Sequence, residues 1–282
     1  MYYLMLTFAA FLFSSQFLFN QKFEEQCGSS FTSTMIFSMY SSAAGFFILL
    51  IISGFKLTFS WFSVFIATLY AAINILYNIA SVKSFEYVNL SAYSVFAMLG
   101  GMLLPSVYAI FFLHEPVNLL KILCYFMIIS ALFFNIDFSH KGRRKIYYIA
   151  VFILNGAVGI ISVIHQNNTM YAADSFSFLM ISRIISTLIC IPFIVKSNSA
   201  FKNTPKKAIW YCVYFAAFCS IGNLMVLIAL KHLQASVQYP IVTGGVMIMS
   251  LMISLLRKEK ISYKNVISTA IAFLSTVLIS IY

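Results

Sequence analysis

Carboxylates are scarce in this chain: seven Asp and Glu stand against eighteen Lys and Arg in 282 residues, and charged residues make up only 9%. With four histidines besides, little equipment remains for general acid–base catalysis. The five cysteines, Cys27, Cys124, Cys190, Cys212 and Cys219, are scattered without a Cys-x-x-Cys pair. They read as small apolar packing residues, and no thiolate metal site or disulfide framework is expected. His114-Glu115-Pro116-Val117-Asn118 starts like a zinc-binding helix but lacks the second histidine of that motif. No metal and no cofactor is expected. The basic residues form separate short clusters rather than an aromatic-interleaved soluble module, so no nucleic-acid partner is expected either.

What the chain has instead is apolar length. Hydrophobic residues make up 62% and the mean hydropathy is +0.94, too little polar surface to cover a soluble globule of this size. Spans of the length needed to cross the hydrocarbon core fall at approximately 2–20, 33–53, 61–82, 88–113, 118–136, 146–166, 176–195, 208–230, 235–256 and 263–281. The loops between them leave no room for a soluble domain. The first span lacks a basic leader and a small-residue cleavage pattern, so it is read as a retained helix. A multi-pass protein of the cell membrane is expected, with the lipid bilayer as its solvent.

The chain also repeats itself. Gly100-Gly101 followed by Glu115 recurs as Gly244-Gly245 followed by Glu259, an offset of 144 that also relates Ser106 to Ser250 and Tyr70 to Tyr214. Five spans per half, an odd number, would insert the second copy upside down. The expected fold class is an all-α integral membrane protein of ten transmembrane helices, built as two inverted five-helix repeats over 1–140 and 141–282. An inverted repeat is the usual scaffold of a secondary transporter, with its substrate site where the halves meet. With Arg183 set aside inside a span, the loops after spans one, three, five, seven and nine hold fourteen of the remaining seventeen basic residues. The opposite face has only Lys56, Lys121 and Lys231. The positive-inside rule then puts both termini outside.

The run from Tyr93 to Pro105, continuing through Phe112-Leu113-His114-Glu115-Pro116, resembles the end-of-repeat signature of the EamA-like branch of the drug/metabolite transporter superfamily. Ser177-Phe178-Leu179-Met180-Ile181-Ser182-Arg183 is similar to the start of that family's second helix in each repeat. The first repeat has Met39 where Arg183 would predict arginine, and the second has Lys260 where Pro116 would predict proline, so the two copies need not play symmetric roles. The resemblance implies cytoplasmic termini, opposite to the charge count.

Polar residues at membrane depth are the candidate site. Tyr70, Asn74, Tyr77, Asn78 and Ser81 share one helical face, which must meet either a neighbouring helix or a wet cavity, because an unpaired amide in hydrocarbon costs several kcal/mol. Gln234, Gln238, Tyr239 and Pro240 precede the second glycine pair, and Pro240 is expected to kink its helix. The glycine pairs are expected to pack spans four and nine together. Arg183 is read either as a framework donor to carbonyls or Asp174, snorkelling toward the face poor in basic residues, or as a ligand for a substrate anion. Glu115 and Glu259 are expected to cap or pair with Lys121 and Lys260. His165 is expected at a helix end facing water, with a proton-coupling role as the sharper alternative, and Asn167-Asn168-Thr169 matches a glycosylation triplet. Spans one, three, four, six, eight and nine are the expected walls, with Gln16, Tyr70, Asn74, Tyr77, Asn78, Tyr93, Arg183, Tyr214, Asn223, Gln238 and Tyr239 as candidate substrate contacts. The expected function is movement of a small organic metabolite, neutral, zwitterionic or aromatic and amino acid-like, by alternating access. The expected partners are that solute, the bilayer and a candidate coupling proton, in a monomer or homodimer. A membrane enzyme or a channel is the alternative, though neither a catalytic nor a filter motif is recognisable.

Overall fold

Apolar runs separated by short polar or glycine-bearing turns fold here as helices. The computed structural model describes residues 2–87, 90–114, 117, 119–135, 144–168, 170–196, 204–233, 235–259 and 261–281. Among them are ten α-helices: α1 (Tyr2–Cys27), α2 (Phe31–Ile52), α3 (Trp61–Ser84), α4 (Leu90–Phe112), α5 (Leu119–Asn135), α6 (Arg144–Asn167), α7 (Ser175–Lys196), α8 (Lys206–Leu230), α9 (Ala235–Leu256) and α10 (Tyr263–Ile281). Seven of these, α1 to α4 and α6 to α8, are long and apolar enough to cross a membrane, and α5 and α9 carry shorter apolar stretches over Ile122–Ala131 and Ile241–Leu256. The chain is a multi-pass membrane protein. Helix α1 continues past the expected end at Asn20 to Cys27, because Gln21, Lys22, Glu24 and Glu25 extend one amphipathic turn beyond the apolar run. Asn20 is thereby buried inside the bundle. The division at 140/141 lies outside the described residues, as do Glu115, Pro116, Thr169, Gln234, Lys260 and the basic run 141–143.

Helix ends recur at the sequence offset. Ser30 caps α2 by accepting the backbone N–H of Ser33 at 3.1 Å, and Asp174 caps α7 by accepting that of Ser177 at 3.1 Å. Each side-chain oxygen thus satisfies one otherwise orphaned donor of a first turn, worth about 1 kcal/mol. Past the other ends of α4 and α9, His114 and Lys258 both take φ 55°, a left-handed stop that non-glycine residues rarely adopt.

Contacts between helices follow a pattern. Helix α1 packs on α8 and α9, and α6 on α3 and α4; α2 packs on α7 and α8, and α7 on α2 and α3; α4 lies against α9 and α5 against α10. Exchanging each helix with the one five places away maps this set onto itself. The largest core cluster gathers Leu6, Phe17, Tyr93, Phe96, Leu99 and Val246.

Glycines set the closest approaches, though not where expected. A Cβ at Gly100 would fall on the backbone of Phe152, one at Gly156 on Leu104, and one at Gly245 would lie 2.8 Å from the Ala10 Cβ. Gly100 and Gly101 therefore face α6 and Gly245 faces α1, while α4 and α9 also pack on one another as expected. Small residues let these backbones approach where no side chain would fit. Pro105 lies inside α4 against Gly159, while Pro240 falls in the second turn of α9.

Candidate functional site

A cavity of about 120 Å³ lies where six helices converge. Its walls are Phe13, Gln16, Phe17 and Asn20 of α1; Tyr70, Asn74, Tyr77 and Asn78 of α3; and Tyr93, Met98 and Gly101 of α4. Helix α6 adds Asn155, Val158, Gly159 and Ser162; α8 adds Phe215, Cys219, Asn223, Val226 and Leu227; α9 adds Tyr239, Val242 and Thr243. Outside α4, spacings of three and four residues put each set on one helix face. The wall positions repeat between halves, each helix pair at its own offset. Phe13, Gln16, Phe17 and Asn20 recur as Asn155, Val158, Gly159 and Ser162, each 142 positions on, and Tyr70, Asn74 and Asn78 recur as Phe215, Cys219 and Asn223, each 145 on. Met98 and Val242 keep the offset of 144.

Eight of the expected contacts line this cavity: Gln16, Tyr70, Asn74, Tyr77, Asn78, Tyr93, Asn223 and Tyr239. Tyr214 does not. Equating it with Tyr70 at offset 144 misses by one residue, about 100° around a helix, so Phe215 faces inward and Tyr214 is 45% exposed beside Phe19 and Trp210. Gln238 is fully buried behind the wall, donating to the Val226 carbonyl at 2.7 Å. Arg183 neither snorkels nor reaches Asp174. Its side chain is buried behind Tyr70 and Cys219, one N–H donating to Cys219 Sγ at 3.2 Å, with Nε lacking a partner among the described residues. Asn20, Asn155 and Ser162 were not anticipated. Asn155 interrupts the apolar run of α6 beside Gly156, which was the available signal.

Part of the cavity wall is held by a hydrogen-bonded chain. Asn20 Nδ2 lies 2.7 Å from Ser81 Oγ, Ser81 Oγ 2.7 Å from the Tyr93 hydroxyl, and Tyr93 2.6 Å from the Tyr77 hydroxyl. Phe17 and Phe85 pack on the Tyr93 ring, with centroids at 5.0 and 4.4 Å. Elsewhere in the wall, Asn78 donates to Ser38 Oγ at 3.1 Å, Asn155 to the Ala97 carbonyl at 2.6 Å and Asn223 to that of Cys219 at 2.8 Å.

Both ends of the bundle are laced. At one, the α2–α3 connection meets the α6–α7 connection: Thr58 donates its hydroxyl to Asp174, its backbone N–H reaches Ser177 Oγ at 2.7 Å, and Ser60 donates to the Tyr171 carbonyl. Burial alone would raise the Asp174 pKa, but hydrogen bonds from the Thr58 and Ser177 hydroxyls and from the backbone N–H groups of Ser177 and Phe176 hold it below the ordinary 3.8. His165 belongs to this end and is buried rather than facing water. Its Nε2 lies 2.9 Å from Ser63 Oγ, its Nδ1 is 3.2 Å from the Gln166 amide, and its ring stacks on Phe178 at 4.0 Å. At the other end Arg257 pairs with Glu25 and Glu259, both at 2.9 Å, and with Gln21 Oε1 at 2.5 Å. Glu259 thus pairs with Arg257, and its expected partner Lys260 lies outside the described residues.

Residues 145–281 match the family model of the EamA-like transporter family. Among curated proteins none matches the sequence. A solved structure titled only "Crystal structure of protein" superposes with a TM-score of 0.63 over 99% of this chain and 96% of its own, at 12% identity. That likeness speaks for the fold alone. Over residues 145–281 the second half of this chain is thus similar to the EamA-like transporter family, within the drug/metabolite transporter superfamily.

Proposed function

We propose that the protein is a secondary transporter of the cell membrane, moving a small neutral, zwitterionic or aromatic metabolite by alternating access through the cavity between α1, α3, α4, α6, α8 and α9. The observation that carries this reading is the cavity itself, whose wall takes three helices from each half in matching places. Residues 1–140 and 141–282 are read as two inverted five-helix repeats. In support, the helix packings described above form a set that is unchanged when each helix is exchanged with its counterpart, the α2 and α7 caps and the stops after α4 and α9 fall at offset 144, and five crossings reverse direction. Helix pairs that mirror one another can open to either face in turn about a fixed central site.

The wall suits such a solute. Tyrosine and phenylalanine rings supply apolar area, and a few amides and hydroxyls supply orientation. Among the described residues the cavity lining includes neither Asp nor Glu, which disfavours a polyvalent cation as the solute. Two laced ends, Thr58–Asp174–Ser177 and Arg257–Glu25–Glu259, are the natural gates. A proton is the candidate coupling ion, and monomer or homodimer the candidate state. The test is a metabolite uptake screen in sealed vesicles carrying the full chain. Saturable uptake of an organic solute, lost when Asn74 and Asn223 are both replaced by leucine, is the expected outcome. No solute moving above empty vesicles would overturn the reading.

A further inference from the structure

His165 stands where the cavity wall runs on toward the laced end at Asp174. It lies one turn past Ser162 on α6, and Ser63 lies two turns before Tyr70 on α3, so each continues a helix face that lines the cavity. Their side chains meet there. Ser63 Oγ is 2.9 Å from His165 Nε2 and also accepts the backbone N–H of Ala173 at 2.7 Å, which ties α3, α6 and the α6–α7 connection at one point. The other ring nitrogen faces the Gln166 amide nitrogen at 3.2 Å, and the Gln166 amide oxygen accepts from the Ser175 hydroxyl at 3.2 Å. Phe178 joins this point to the cavity. Its ring stacks on His165 at 4.0 Å and meets Tyr70, in the cavity wall, edge-on at 5.3 Å. His165, Ser63 and Phe178 are all buried.

A neutral imidazole has one donating and one accepting nitrogen, and this network has a place for each. A second proton turns the accepting nitrogen into a donor and sets it against another donor: the Gln166 amide nitrogen as it stands, or the Ser63 hydroxyl if that amide is turned. One bond of the seam is then lost. The charged groups that act on the ring are Asp174 before α7 and Lys231 past α8, one of each sign, and Asp174 is already engaged by the Thr58 and Ser177 hydroxyls. Among the described residues no free counter-ion remains for an added proton.

The mirrored seam is different. At the wall's offsets of 142 and 145, the positions matching His165 and Ser63 are Phe23 and Ala208, which lie in one apolar cluster. Neither side chain binds a proton.

We propose that His165 is a proton-binding site that latches one end of the transporter: neutral, it holds the α3–α6 seam shut beside the cavity, and protonated, it lets the α2–α3 and α6–α7 connections part. The purpose of the latch, access to the solute site that opens in acid, rests on the transport reading; the latch itself works without any solute.

Hydrogen–deuterium exchange on the full chain in nanodiscs, corrected for the intrinsic effect of pH on exchange, tests this at about pH 8 and about pH 5, the range over which a histidine ordinarily changes charge. Asp174, held below 3.8, stays ionised throughout. Amides in 57–63 and 170–177 should be at least about tenfold less protected at the lower pH, the scale of one buried hydrogen bond lost. That difference should vanish in His165→Gln, which keeps a hydrogen-bonding side chain, and in His165→Phe, which keeps the stacked ring. Equal protection of the native chain at both pH values overturns the latch without needing any variant. So does a pH difference that survives in either variant as a monodisperse protein. Both results leave the transport reading standing, since that reading falls only with a blank vesicle screen.

Discussion

Tyr93 is the side chain that ties α3 to α4 in the cavity wall. Its hydroxyl joins Ser81 to Tyr77 at 2.7 and 2.6 Å, and its ring is fully buried against Phe17 and Phe85. Tyr93→Phe keeps the ring and takes one hydrogen-bond partner from each of Ser81 and Tyr77, so it should lower stability by about 1–3 kcal/mol and slow transport. A melting curve in detergent and an uptake assay check this; an unchanged melting temperature would show that the chain is not holding α3 to α4. Glycines give a sharper comparison. A Cβ at Gly100 meets backbone atoms of Phe152, which cannot rotate away, whereas one at Gly45 meets Ser220 Oγ at 2.7 Å and Arg183 Nε at 3.3 Å, both on side chains that can move. Gly100→Ala should therefore destabilise by about 1–3 kcal/mol through overpacking, and Gly45→Ala by clearly less. Equal melting temperatures for the two variants would remove the close α4–α6 approach from the account.

Among elements, α7 is tied to the α2–α3 connection through Asp174. Its carboxylate caps Ser177 and accepts from Thr58, and its pKa is held below the ordinary 3.8. A depressed carboxylate pKa contributes stability that is complete above the unfolded value and is lost as pH falls through the folded one. Acid should then unlace this end, and Asp174→Asn should flatten the part of the melting-temperature fall that sets in below about pH 4. A variant that tracks the native protein down to pH 3 would contradict this. Helix faces were the legible part of the sequence: the Tyr70–Asn74–Tyr77–Asn78 stripe follows from the helical repeat, and it lines the cavity. What a face meets was less legible. Periodicity does not say that Arg183 and Gln238 lie one layer behind the wall, or that Gly100 presses on Phe152. Offsets that differ between helix pairs, 142, 144 and 145, arise from connections of unequal length, and that is why Phe215, and not Tyr214, stands in the wall opposite Tyr70. The burial of His165 depends on Ser63 and Phe178 from other helices, which a local pattern cannot show.

For the whole molecule, orientation and central site are the open quantities. Fourteen basic residues on one set of loops against three on the other, by sequence, predict that the α1–α2 and α9–α10 connections are cytoplasmic and both termini outside. A reporter active only in the cytoplasm and fused after Tyr282 should be silent; activity would give the EamA-like family's own topology precedence and exchange the two gates. The central claim, that this cavity is the transported solute's site, is tested most directly by thiol labelling. Asn74→Cys in a chain whose five native cysteines are replaced by alanine puts one reactive group in the wall. A membrane-impermeant reagent should label it from one face, and the transported solute should protect it in proportion to its occupancy. Labelling unaffected by saturating solute, or none from either face while uptake continues, would contradict the account.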